Sequence, residues 1–215
     1  MRSSLRSFTD AITDIQKQIA EMGKLTKQEL FLAVGSLVVE NEENRKEVYQ
    51  LDKLVDHYDE SIHSSILQLI TIQPPLPQEL KMLSTMIRIS REYERIGDQA
   101  VNIADIAQFS KMKVRSKTFA MIRDMSAITT MMVAASIELL ITKNGEIIET
   151  IVRQEEEVDQ FFREIQHHIV SEMQRDSAQI DTLANLLLVN RFLERTADHV
   201  VNVTRQVERN NVWGG

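Results

Sequence analysis

The sequence predicts an all-α protein built as two tandem three-helix bundles, six long helices arising from an internal duplication. Three observations predict it. The 215 residues include only three prolines and six glycines; the prolines are Pro74, Pro75 and Pro77, and two of the glycines are the terminal Gly214 and Gly215. A sheet protein of this length needs many turns, and turns draw on Gly and Pro. Apolar residues recur at helical spacing nearly throughout, and the second half of the chain repeats the first.

The helical segments are expected at 4–41, 44–72, 78–110, 115–143, 146–175 and 179–210. The first begins within Met1–Phe8, which holds two arginines and no apolar stretch; with Asp10 and Asp14 close behind, this is a helix start and not a targeting signal. The chain's longest apolar run, Leu30–Val39, is about half of the ~20 residues a membrane span requires. Cap and turn residues, Asn41-Glu42-Glu43-Asn44, separate the first segment from the second. Gln73–Pro77 stops the second, because proline lacks an N–H and restricts the residue before it.

In the third, positions 86, 90, 93, 97, 100, 104 and 107 form a seam of alternating four- and three-residue steps, with Gly97, Ala100, Ala104 and Ala107 allowing close helix approach. The sixth repeats this seam at 186, 190, 193, 197, 200, 204 and 207. Lys143-Asn144-Gly145 divides the fourth segment from the fifth. The Met-rich stretch of the fourth, Met121, Met125, Met131 and Met132, is expected to fill core.

The repeat is explicit. Glu94-Arg95-Ile96-Gly97-Asp98 with Asn102 returns as Glu194-Arg195-Thr196-Ala197-Asp198 with Asn202, an offset of 100. Upstream, Met22 matches Met125, Asp52 matches Glu155, Asp56 matches Asp159 and Ile62 matches Ile165, an offset of 103. The three-residue difference falls in the proline loop. Residues 1–112 and 113–215 are therefore the two repeats.

Net charge is −7, which argues against general attraction to nucleic acid or an anionic membrane. The chain has no cysteine, which excludes disulfides, thiolate metal sites and Cys nucleophiles and suits a reducing cytoplasm. No Gly-rich phosphate loop, nucleophile elbow or Walker lysine is present.

The candidate chemistry lies in four acid-x-x-x-acid pairs: Asp52 with Asp56, Glu94 with Asp98, Glu155 with Asp159, and Glu194 with Asp198. Residues four apart share a helix face. Glu94 and Asp98 border the seam, so a site there lies at the bundle surface between two helices. Carboxylates without obligatory His or Cys suit Mg²⁺, Mn²⁺, Ca²⁺ or iron. Arg91 and Arg95 could instead pair with Glu94 and Asp98 along the helix. Recurrence in both repeats favours the metal site, and Asn102 and Asn202, unfavourable inside helices, add to it. A rival is the di-iron bundle pattern of Glu60 with His63 and Glu164 with His167, whose members fall in different repeats. His57, His168 and His199 read as surface or capping groups, and Trp213 as part of a frayed end.

The tandem Glu-Arg-Ile-Gly-Asp-x-x-x-Asn motif of 94–102 and 194–202, with Asp52–Asp56 and Glu155–Asp159 on the second helices, resembles the PhoU family of phosphate-signalling regulators over nearly the full length. The resemblance implies paired three-helix bundles and no enzymatic activity. It also implies metal clusters of iron, zinc, manganese or magnesium, held by Asp52, Asp56, Glu94 and Asp98 in one repeat and by Glu155, Asp159, Glu194 and Asp198 in the other. Expected partners are a phosphate ABC transporter ATPase, a sensor histidine kinase and a second copy in a homodimer, in the cytoplasm, with negative regulation of phosphate uptake as the outcome. A metal-dependent enzyme and an accessory regulator of a secondary phosphate carrier are the alternatives.

Overall fold

The computed structural model describes residues 8–37, 42–108 and 117–210. Among them there are six long helices and no strand: α1 (Phe8–Ser36), α2 (Glu42–Ile72), α3 (Pro77–Ala107), α4 (Lys117–Thr142), α5 (Glu146–Arg175) and α6 (Ile180–Asn210). The expected boundary at 112/113, both ends of the first segment, the end of the third, the start of the fourth, and Trp213 lie outside the described residues.

The helix ends have local causes. Glu42, Glu43 and Asn44 form the first turn of α2 instead of a break, and acids there suit the positive end of the helix dipole. Pro77 opens α3, where its missing N–H is harmless, and the Glu79 carboxylate accepts the Leu76 N–H at 2.7 Å. After α4 the left-handed residue is Lys143, at φ 60°, not the nearby glycine. Its N–H donates to the Leu139 carbonyl at 2.9 Å, while Asn144 Oδ1 accepts the Glu146 N–H at 3.1 Å. Asp176 holds a short 3-10 turn, Ser177–Gln179, ahead of α6 by accepting the Ala178 N–H.

The duplication is visible as matched burial. Ile19, Met22, Thr26 and Leu30 on α1 correspond to Ile122, Met125, Thr129 and Val133 on α4, all buried. Val48, Val55, Ile62 and Ile66 on α2 correspond to Ile151, Val158, Ile165 and Ile169 on α5, all fully buried. Every position of both third-helix seams is buried. Met125 and Met132 are core, as expected, but Met131 is half exposed.

Among the described residues the repeats meet through α3 against α6 and α1 against α4, while α2 and α5 touch only helices of their own repeat. One apolar cluster therefore runs through both halves. At the join, Gly23 of α1 lets Tyr93 of α3 and Ile137 of α4 converge, and the Tyr93 hydroxyl bonds Ser136 Oγ at 3.0 Å. On the other side, Glu92 of α3 lies 2.7 Å from His199 Nδ1 and accepts from Asn202 Nδ2 at 3.2 Å. His199 is thus buried between repeats and not a surface group. Asn202 serves this interface and not the carboxylate site. Both point to α3 because positions 199 and 202 lie on the α6 face that packs across the join.

α4 has the length and apolar composition of a membrane-spanning helix, but half of it is buried in the bundle, against α1, α5 and α6.

Gly23→Ala should cost about 1–3 kcal/mol in denaturant unfolding, because the new methyl meets Ile137 Cγ1 at 2.9 Å and Tyr93 Cζ at 3.1 Å. Gly145→Ala, with nothing within 4 Å, should stay within about 0.5 kcal/mol of the unmodified chain. Equal stability of the two variants would disprove close packing at the join.

Candidate metal centre

α2 lies along α3, and the contact point fixes the first site. Val55 is fully buried, and a methyl group placed on Gly97 would stand 3.5 Å from Val55 Cγ1. The acids on either side, Asp52 and Asp56 on α2 and Glu94 and Asp98 on α3, therefore rim one spot. Their electrostatics record the crowding. Burial, then Asp56 and Asp98, pushes Asp52 up to about 6. Burial and Asp98 raise Asp56 and Glu94, partly offset by Arg91. Arg91 Nη1 stands 3.2 Å from Glu94 Oε1 and 3.3 Å from Asp59 Oδ2, so the pairing of Arg91 with Glu94 along the helix does form. Asp59, itself buried, also accepts the Ser90 hydroxyl at 2.8 Å.

The sequence reading missed one member. Glu29 of α1 is fully buried, and neither carboxyl oxygen has a hydrogen-bond partner. Burial, then Asp52, Asp56 and Asp98, pushes it up to about 9, so it belongs to the same cluster. A methyl on Gly97 would come within 3.1 Å of its Oε2; the glycine makes room for the carboxyl. The signal was available: Glu29 falls one turn after Thr26 on an otherwise apolar stripe, and its counterpart at the offset of 103 is Met132.

In the second repeat Glu155 and Asp159 on α5 face Glu194 and Asp198 on α6. Burial raises Glu155 against the nearby Arg205, with Asp159 and Asp198 adding to the rise. Burial and then Asp198 raise Glu194. Arg191 Nη1 lies 2.7 Å from Glu194 Oε1, and Arg163 Nη1 lies 3.9 Å from Asp159 Oδ2. The eight expected residues thus lie along two lines, four at the α2–α3 contact and four at the α5–α6 contact. The copies differ around them: Met132 stands where Glu29 does, Ala197 for Gly97, Phe162 for Asp59, Arg163 for Glu60 and Arg205 for Asp105.

Among the described residues, no three His, Cys, Asp or Glu side chains are already gathered so as to hold a metal ion. The donor set nevertheless fits a hard cation: oxygen ligands from two helices, whose repulsion an ion would relieve, beside a buried carboxyl that no group among the described residues satisfies. The di-iron pattern does not assemble. Glu60 and His63 line an open cleft with Asp56, Asp59, Arg91 and Glu94, but Glu164 and His167 are on α5, which makes no contact with α2.

Fold and site together define a duplicated helical-bundle protein with an acidic site between the second and third helices of each repeat. The chain belongs to the PhoU family, whose domain matches residues 19–107 and again 122–207. It is 26% identical over 197 residues to the phosphate-specific transport system accessory protein PhoU homolog 1 of Methanothermobacter thermautotrophicus, covering 91% of this chain and 90% of that one. It is 28% identical over 162 residues to the PhoU homolog of Deinococcus radiodurans, covering 75% of this chain and 76% of that one. The crystal structure of PhoU from Pseudomonas aeruginosa shares the fold with a TM-score of 0.88 at 18% identity, over 95% of this chain and 99% of that one. The Streptococcus pneumoniae PhoU structure does so with a TM-score of 0.85 at 17% identity, over 95% and 97%.

The metal-free protein should lose stability as pH rises from about 4.5 to about 9, because the native state keeps a proton on Glu29 that the unfolded chain releases. Asp52 acts in the same direction between its ordinary value of 3.8 and about 6. Urea melts in chelator across this range check it. Glu29→Gln should flatten the slope above neutrality, and an unchanged slope would show that Glu29 is not held protonated.

Proposed function

We propose that this chain is an accessory regulator of a phosphate transport system, working by protein contact and not by turnover. It restrains phosphate uptake and starvation signalling by binding the ATPase of a phosphate ABC transporter and a sensor histidine kinase, as a cytoplasmic homodimer. The observation that carries this is the match of the family domain to both repeats, with the paired carboxylates recurring on the second and third helices of each. The names of relatives aligned over most of their length, accessory proteins of phosphate-specific transport systems, support the transport role.

In this proposal divalent metal, whether magnesium, manganese, iron or zinc, is held by Asp52, Asp56, Glu94 and Asp98, and by Glu155, Asp159, Glu194 and Asp198. The ion supplies positive charge where like-charged carboxylates face each other, and so sets how tightly α2 closes on α3 and α5 on α6. Since α2 and α5 touch only their own repeat, their outer faces remain open to partners.

Pull-downs of the transporter ATPase and the kinase, run beside metal analysis, compare the unmodified chain with Asp98→Ala plus Asp198→Ala. Loss of bound metal with weakened capture of either partner is the expected result. Unchanged metal content and unchanged capture would refute the assignment. Metal-dependent hydrolytic turnover abolished by Glu94→Ala would replace regulation by contact with catalysis.

A further inference from the structure

The two carboxylate sites share a register but not a depth. In the first repeat α1 presents Glu29 from inside the core, fully buried and with both oxygens unpartnered. An interior carboxyl without a hydrogen bond is costly in either protonation state. The fold does not require one there, since the second repeat places Met132, equally buried, at the same point of the same helix. Nor is Glu29 simply tolerated. Gly97 lacks the methyl group that would crowd Glu29 Oε2, whereas Ala197 faces a repeat with no such carboxyl. Two positions on two helices thus change together between the copies. The surroundings change in the same sense: the first copy adds Asp59 and Glu60 where the second has Phe162 and Arg163.

Resting on the metal-binding reading above, we propose that Glu29 is a metal ligand, so that the first repeat draws a divalent cation such as Mn²⁺ or Mg²⁺ into a three-helix site while the second holds its cation at the surface between two helices. α1 also packs on α4, so occupancy of the first site bears on the helix that joins the repeats. The second site, with Arg163 and Arg205 beside its carboxylates, is the weaker and more salt-sensitive of the two.

The test is Mn²⁺ titration of the full chain by calorimetry, with thermal melting as a second readout, in a background where Glu194→Gln plus Asp198→Asn disables the second site. Glu29→Gln, which keeps the volume, should weaken Mn²⁺ binding roughly tenfold or more. It should also shrink the metal-induced rise in Tm while raising the Tm of the metal-free protein. Glu29→Met, the second repeat's own residue, should do the same and guards against an effect peculiar to the amide. Mn²⁺ affinity within about twofold of the background in both variants overturns the role of Glu29 and leaves the surface sites standing. No Mn²⁺ binding by the unmodified chain overturns the metal reading and this inference together.

Discussion

Tyr93, Gly97 and Ala100 sit on the helix that carries most of the contact between the repeats, and the placement of the others follows from how closely that helix can be approached. Its seam of buried small and medium residues packs against α1, α2 and α6 at once. Interior packing at crystal-like density leaves little freedom in such a contact. Once Val55 is seated against Gly97, the acids four residues apart on α2 and α3 have no choice but to meet along the edge of the same contact. The site is a by-product of the packing geometry, which explains how it survives duplication with so few of its neighbours kept.

The cost falls on the edge helices. Carboxylates crowd one another along the α2–α3 and α5–α6 lines, as their raised pKa values record. The apolar layer beneath, Val55, Ile62 and Ile66 in one repeat and Val158, Ile165 and Ile169 in the other, holds the helices together against that repulsion. Attraction from the core and repulsion at the rim thus act on the same two helices from opposite faces. A multivalent cation changes only the second, which makes the outer helices the natural place for an ionic signal to register.

The duplication and the six helices were legible because each rests on periodicity or recurrence, and the four acid pairs were visible as part of the repeat. Local rules also placed interruptions at Gln73 to Pro77 and at Lys143 to Gly145, though Pro77 itself turned out to open α3. Features that depend on the packing between repeats were not legible. His199 reads as a surface group and Asn202 as an adjunct of the carboxylate site until α3 is laid against α6, when both meet Glu92. Glu29 sits on a stripe that α1 turns inward, and no local rule marks an acid there as buried and unpartnered. Its trace was the mismatch with Met132, visible only when differences between the copies are read as closely as their agreements. Likewise Ala197 stands where Gly97 does, and the loss of the glycine accompanies the loss of the carboxyl it shelters.

The continuity of the core has a consequence for what one repeat could be by itself. Cut between α3 and α4, the first half would bare the apolar side of Tyr93, Ala100 and Ile103 together with the Gly23 face of α1, and the second half would bare its mirror on α4 and α6. Each half thus buries part of its apolar surface only against the other. The natural cover for each is a copy of itself, so the whole chain has the build of a homodimer whose subunits have been joined end to end. Joining freed each half from having to serve both sides of a symmetric pair, and the divergence of Glu29 from Met132 is the kind of specialisation that a covalent pair permits and a true homodimer forbids.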